Sequence, residues 1–333
     1  MKAMILKQPK SVDKNPLEWV DVPKPTPKED EILIHVNVCG VCHTDLHTVE
    51  GELDLKKKPI IPGHQVVGTV EEKGDHVEEF ELGDRVGVTW LYSACGDCEF
   101  CNSGRENLCD DAQFTGLHHD GGYAEYMVIP AHYALKMPEG FGDLQAAPLL
   151  CAGVIGYRSL RLSDIKPRQT LGLYGFGASA HITIQVARYW DCDVYVFTRS
   201  EEHRQHAREL GAVWTGSAKD DPPVSMDSSI TFAPVGWIIP EALRVLKKGG
   251  TLAINAVHLS PIPKLKYELI YHERTLRSVA NCTHQDGEEF IKLAAEIPIK
   301  TDIDVHKLKE ANAVLQRLKR SEINGAAVLE IKR

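Results

Sequence analysis

The sequence predicts an α/β protein in which a doubly wound parallel sheet is joined to an irregular, mostly β domain. Three observations carry this. Beyond about residue 150, short hydrophobic runs alternate with helix-length segments, the mark of a parallel sheet covered on both faces by helices. A glycine-rich turn, YGFGASAH (174–181), lies where the first such run meets its helix. The preceding residues read instead as short strands broken by Gly and Pro. We expect domains at 1–152 and 153–292, with 293–333 returning to the first.

In the first domain, EILIHVNV (31–38) alternates and ends at Cys39 and Gly40. VVGTVEEKG (66–74) and ELGDRVGVTW (81–90) have the same strand character. In the second, TLGLYGFG (170–177) is an apolar run ending in glycines, and ASAHITIQVARYW (178–190) is its helix. VYVFT (194–198) is the next strand, and EEHRQHARELG (201–211) is a polar helix closed by Gly211. SSITFAPV (228–235), the helix IPEALRVLKKGG (239–250) and TLAINAV (251–257) continue the alternation. The tail carries VHKLKEANAVLQRLKR (305–320) and the strand-like AAVLEIK (326–332).

Composition excludes several classes. With 38 Lys and Arg against 47 Asp and Glu, the formal charge is −9, which argues against a nucleic-acid or anionic-membrane partner. No run of about eighteen apolar residues is present, and the start, MKAMILKQPKSVDK, lacks the apolar stretch of a signal peptide. Nine cysteines in such a chain suit a reducing cytoplasm better than a disulfide scaffold.

Gly175, Gly177 and Ala180 form G-x-G-x-x-A between a strand and a helix. The glycines allow a tight turn and close approach of a pyrophosphate to a helix N-terminus, while the small third residue allows close helix–strand packing. This is a Rossmann-type dinucleotide signal. An unphosphorylated adenosine ribose is usually held by an acid about twenty residues further on. Here the strand ends at Thr198, followed by Arg199 and Ser200. No acid repels a 2′-phosphate, Ser200 can donate to one and Arg199 can pair with it. Arg204 is a further candidate. NADP(H) is therefore favoured, with NAD(H) the alternative.

ACGDCEFCNSGRENLC (94–109) places Cys95, Cys98, Cys101 and Cys109 in one loop. Four thiolates at this spacing close tetrahedrally on zinc and leave no open position, so such a site is structural. An iron–sulfur cluster and a pair of disulfides are the alternatives. CGVCHTDLH (39–47), PGHQVVG (62–68) and LLCAGV (149–154) contain Cys42, His64 and Cys151. Two thiolates and an imidazole would leave a fourth zinc position for water or an alcohol. Spacing alone does not bring these three together, and Cys151 beside Leu149 and Leu150 also suits a core.

With DGGYAEY (120–126) added, these motifs in this order resemble the zinc-dependent medium-chain alcohol dehydrogenases over nearly the whole chain. The resemblance implies a GroES-like catalytic domain, a Rossmann domain and reversible oxidation of a primary or secondary alcohol to an aldehyde or ketone. It implies two zinc ions per chain: a catalytic one on Cys42 (not Cys39), His64 and Cys151, and a structural one on the four-cysteine loop. Thr44 and His47 match proton-relay positions, Asp45 a residue near the zinc, and Trp90 a substrate-pocket position, for which a core aromatic is the alternative. A homo-oligomer, dimer or tetramer, is implied, and an aldehyde-reducing or polyol dehydrogenase is the nearest variant. Three departures stand out: Gln65 where Glu often follows the zinc histidine, no acid after the second Rossmann strand, and Ala326 in INGAAV (323–328) where an arginine is usual.

Overall fold

The protein is described from a computed structural model, which covers residues 1–297, 299–323 and 325–331. The chain forms two compact units. The first comprises Met1–Cys151, Asn281–Ala295 and the chain from Lys300 onward, and the second Ala152–Ala280 with Glu296–Ile299. The second unit thus gives up the chain at Ala280 rather than at the expected 292. The helix His284–Glu296 continues the βα rhythm in sequence. Its buried Phe290 and Ile291 and its first amide nevertheless belong to the first unit, where Glu106 Oε1 accepts the His284 N–H at 2.7 Å.

The first unit is built on a seven-stranded sheet. Glu31–Val41 pairs antiparallel with Gln65–Lys73, which pairs with Arg85–Val88 and then Ala134–Lys136. On its other side Glu31–Val41 takes Tyr126–Pro130 along one half and Ala326–Glu330 along the other. Ala326–Glu330 is the C-terminal return, paired in turn with Ile303–Lys307. Asn324 of INGAAV lies outside the described residues. The alternation in EILIHVNV places Ile32, Ile34 and Val36 in a core shared with Val66, Val70 and Val86.

The second unit holds six parallel strands in the order Trp214–Gly216, Asp193–Phe197, Thr170–Tyr174, Met226–Thr231, Leu246–Ile254, Thr275–Ser278. Numbered along the chain this order is 3-2-1-4-5-6, the doubly wound arrangement whose strand order reverses beside the first strand. One expectation is corrected. The helix read over 239–250 spans Ile238–Arg244 only, and the next strand begins at Leu246. Leu246 is fixed by pairing with Met226 across a register shift, a long-range contact that outweighs the local helix signal.

Candidate active site

Three segments of the first unit converge on one cluster. Cys42 is the N-cap of helix His43–Glu50: its Sγ accepts from Thr44 N at 3.3 Å, and its own N–H donates to Asp45 Oδ2 at 2.9 Å. This capping box fixes the cysteine and the start of the helix together. His64 directly precedes the strand Gln65–Lys73 and is almost wholly buried. Cys151 ends the short helix Ala147–Leu150. Leu149 and Leu150 are the buried anchors there, and Cys151 turns to the cluster.

Cys42 Sγ lies 3.4 Å from His64 Nε2 and 4.0 Å from Cys151 Sγ. All three ligand atoms lie within 4.8 Å of one another. Zinc bonds of about 2.3 Å to sulfur and about 2.0 Å to nitrogen in a tetrahedron put neighbouring donors about 3.6–3.8 Å apart. The set therefore fits one such ion with a corner left over. On the far side of the imidazole, Asp45 Oδ1 lies 3.1 Å from His64 Nδ1. With Nε2 facing the thiols, Nδ1 carries the proton and donates it to the carboxylate, the usual way a ligating histidine is oriented.

Electrostatics agree with this donor set. Cys42 is held well below the ordinary thiol range, chiefly because Cys151 donates to it, with His64 and the Thr44 amide assisting against burial. Cys151 is pushed up because it keeps the shared proton. Burial works to lower His64, but Asp45 and Cys42 together raise it. Asp45 is raised by burial, against the pull of His64. Cys39, fully buried, is raised by burial and stands apart from the cluster, as expected of a core thiol.

The turn carrying His64 is clasped by a segment whose part in the site the motifs did not reveal. Gly63 has φ +98°, a conformation suited to glycine. Gly121 N donates to Ile61 O at 2.7 Å, Gly122 N to Gly63 O at 2.9 Å and Tyr123 N to Pro62 O at 2.9 Å. A Cβ on Gly121 would lie 1.9 Å from Gly63 O, backbone that cannot swing aside. Gly121→Ala is accordingly expected to cost about 2–3 kcal/mol of stability and to loosen retention of a metal at His64. Thermal melting and metal content of the purified variant measure both.

The other predicted residues are placed as follows. His47 Nδ1 lies 2.6 Å from Glu52 Oε2, and Thr44 is in the first turn of the same helix. The Trp90 ring centroid is 6.4 Å from that of His64, and Phe114 stacks on Trp90 at 4.3 Å. Trp90 is thus half-buried beside the cluster, and Phe114 is a neighbour that sequence reasoning missed. Gln65 is buried against Gly40.

The four cysteines of 94–109 also meet. Cys95 Sγ is 3.9 Å and Cys98 Sγ 3.6 Å from Cys101 Sγ, and all four thiols lie within 4.8 Å of one another. These are non-bonded separations and no disulfide joins these cysteines. They match the sulfur spacing around a single tetrahedral ion of about 3.8 Å. The Cys101 amide donates to Cys98 Sγ at 3.5 Å and brings that thiol down to about 7. Gly96 and Gly104 take positive φ at two turns of the loop.

In the second unit, Gly175 has φ +87° and passes close to Ala233, whereas a Cβ on Gly177 would meet nothing within 4 Å. That open space lies at the N-terminus of helix Ala178–Tyr189, whose cap residue supplies no side-chain bond. Ala180 is fully buried. The turn fits a pyrophosphate, which would take up the unpaired amides. Past the second strand, the Ser200 hydroxyl caps helix Glu201–Glu209 by accepting from His203 N at 3.3 Å. Arg204 Nε donates to Thr198 O at 2.9 Å, and Glu201 is paired with Arg208 at 2.7 Å. His181, in the same helix Ala178–Tyr189, is buried.

A doubly wound nucleotide fold together with a Cys/His/Cys donor set gathered around the buried His64 defines a metal-dependent, nucleotide-linked oxidoreductase. Residues 28–139 match the alcohol dehydrogenase GroES-like domain and residues 180–296 the zinc-binding dehydrogenase domain. A probable alcohol dehydrogenase, AdhA, of Mycobacterium tuberculosis is 45% identical over 337 aligned positions, covering 99% of this chain and 97% of the relative. An alcohol dehydrogenase of Geobacillus stearothermophilus is 35% identical, covering 96% and 97%. Among solved structures, a cinnamyl alcohol dehydrogenase of Sorghum bicolor superposes with a TM-score of 0.89 at 26% identity, covering 99% and 97%. The chain belongs to the zinc-dependent medium-chain alcohol dehydrogenase family. Its activity is that of the class, NAD(P)-linked hydride transfer between an alcohol and its carbonyl compound. No described helix is long and apolar enough to cross a membrane.

Proposed function

We propose that the protein oxidises primary or secondary alcohols reversibly, with catalytic zinc on Cys42, His64 and Cys151 and structural zinc on Cys95, Cys98, Cys101 and Cys109. The convergence of Cys42 Sγ, His64 Nε2 and Cys151 Sγ carries this reading. When bound, zinc supplies Lewis-acid polarisation of the substrate oxygen and the nicotinamide nucleotide supplies the hydride exchange. Cys42 supplies anionic sulfur, Cys151 would do so on releasing the shared proton as the metal binds, and Asp45 fixes the His64 ring by accepting from Nδ1. The Thr44 hydroxyl takes the substrate proton. His47, its Nδ1 held by Glu52, passes a proton to solvent through Nε2. Trp90 stacked on Phe114 makes an apolar wall, which favours alcohols with hydrocarbon side chains over polyols.

The preferred nucleotide is NADP(H). No acid stands at 198–200, Glu201 is engaged by Arg208 and Arg204, and Arg199 is exposed at the strand end. The working protein is a homo-oligomer, dimer or tetramer, in the cytoplasm, acting on a small alcohol or aldehyde. Reduction of one accessible aldehyde with NADPH and NADH at equal concentration tests the nucleotide reading. Faster turnover with NADPH is expected. Arg199→Ala should then raise the Kd for NADPH about tenfold and leave that for NADH unchanged. Equal losses would remove Arg199 from the phosphate site.

A further inference from the structure

The helix after the second strand of the nucleotide unit meets two opposed demands. Its first turn carries Glu201 and Glu202 behind the Ser200 cap, and acids there suit the positive end of a helix dipole. The same turn adjoins Thr198, Arg199 and Ser200, at the strand end where a doubly wound fold holds the adenosine ribose. A carboxylate left loose at that place would accept from a 2′-hydroxyl and repel a 2′-phosphate.

The side chains that follow take up this charge. Glu201, Arg204 and Arg208 stand three and seven residues apart, so they share one face of the helix. Arg208 Nη2 lies 2.7 Å from Glu201 Oε1, and Arg204 Nη1 lies 3.5 Å from Glu201 Oε2. Arg208 is itself tethered. Its Nη1 donates to Thr215 Oγ1 at 2.9 Å and its Nη2 to Gln205 Oε1 at 3.1 Å. Thr215 belongs to the next strand of the sheet, paired with Val196. Arg204 is fixed from the other side, its Nε donating to Thr198 O at 2.9 Å. The side chain of Glu201 is 70% exposed and that of Arg208 43%, and an ion pair so exposed contributes little to stability. Its consequence is where the negative charge is held.

We propose that Arg208 is a specificity-determining residue for the nucleotide, acting by position rather than by contact. Anchored on Thr215 and Gln205, it draws the Glu201 carboxylate along the helix, away from the strand end, and so keeps the site at Thr198–Ser200 open to a 2′-phosphate. The inference rests on the NADP(H) reading given above. It reconciles the two demands on the first turn: the acid stays where the helix start favours it, and its charge is countered two turns further on.

The test is titration of the full-length protein with NADPH and with NADH. Arg208→Gln should raise the Kd for NADPH by on the order of three- to tenfold, as one released charge near a phosphate in a watery site requires. The Kd for NADH should stay within about twofold. Adding Glu201→Gln should restore NADPH binding. Adding Glu202→Gln instead returns the same net charge and should not restore it. Restoration by both would reduce the effect to general charge and overturn the proposal. Equal losses for NADPH and NADH would make Arg208 a structural residue. Glu201→Gln alone should leave NADPH binding within about twofold, because that charge is already countered. Severalfold tighter NADPH binding by this variant would overturn the proposal, and it decides alone should Arg208→Gln fail to fold. The unsubstituted protein separates the two levels. If it binds NADH more tightly than NADPH, the NADP(H) reading fails, and the Arg208 role with it. If it prefers NADPH while Arg208→Gln behaves as wild type, only the Arg208 role fails.

Discussion

Cys42→Ser is expected to lower kcat/KM by about three powers of ten, to lose one of two metal ions per chain and to leave nucleotide binding intact. The magnitude follows from the chemistry. A Lewis acid at the substrate oxygen is worth several kcal/mol, and about 4 kcal/mol corresponds to a thousandfold in rate. Serine is the informative replacement because Cys42 has two jobs. It is a donor in the Cys42–His64–Cys151 set, and it caps the helix His43–Glu50. Serine caps at least as well but offers a neutral, harder oxygen to a thiophilic ion. The helix should therefore persist, with stability within about 1 kcal/mol of the unsubstituted protein. His64→Ala removes the same ion less cleanly, since the buried Asp45 carboxylate would lose the donor on Oδ1 and with it part of what keeps it charged. Metal analysis, thermal melting and nucleotide titration on Cys42→Ser separate these effects. Undiminished turnover with one metal equivalent gone would remove Cys42 from the reacting centre.

What could be read from sequence was local. Four cysteines within one loop, or glycines between a strand and a helix, state their geometry within a few residues. Both features fold as read, with Cys95, Cys98, Cys101 and Cys109 together and Gly175 in the positive-φ turn that glycine permits. Cys42, His64 and Cys151 lie far apart in the chain, so their meeting rested on a family likeness. The capping box at Cys42 and the paired leucines before Cys151 supply the physical reasons for it. The clasp of Gly121, Gly122 and Tyr123 on Pro62 and Gly63 was hidden, because backbone packed on backbone leaves only glycines as a trace. Ser200 precedes a helix with two glutamates in its first turn, which is an N-cap signal, and its hydroxyl accepts the His203 amide; an accepted bond still leaves the O–H able to donate to a phosphate.

Cys98→Ala is expected to act on the fold more than on the chemistry. The loop 94–109 has little core of its own. Its cluster contains Leu91, Cys109 and Ala112 as buried members, with partly buried neighbours such as Phe114 and Tyr133. Hydrophobic burial on that scale cannot order sixteen residues against their conformational entropy, so a bound ion has to contribute folding free energy directly. Cys98 also caps the helix Glu99–Asn102 and accepts the Cys101 amide, so the substitution removes a metal donor and a local anchor together. A loss of about 3 kcal/mol, near the top of the usual range for point substitutions, would lower the melting temperature of the first unit by on the order of 10 °C. Proteolysis should begin within the loop, and one metal equivalent should be lost. The loop is closed by the paired strands Leu91–Ser93 and Gln113–Phe114, and Thr115 N donates to Trp90 O at 2.8 Å. Slackening there releases Trp90 and Phe114 from their stack, so KM for bulky alcohols should rise while kcat for a small one stays close to normal. A kcat loss as large as that of Cys42→Ser, with the melting temperature unchanged, would make the four-cysteine loop part of the reacting centre rather than its support.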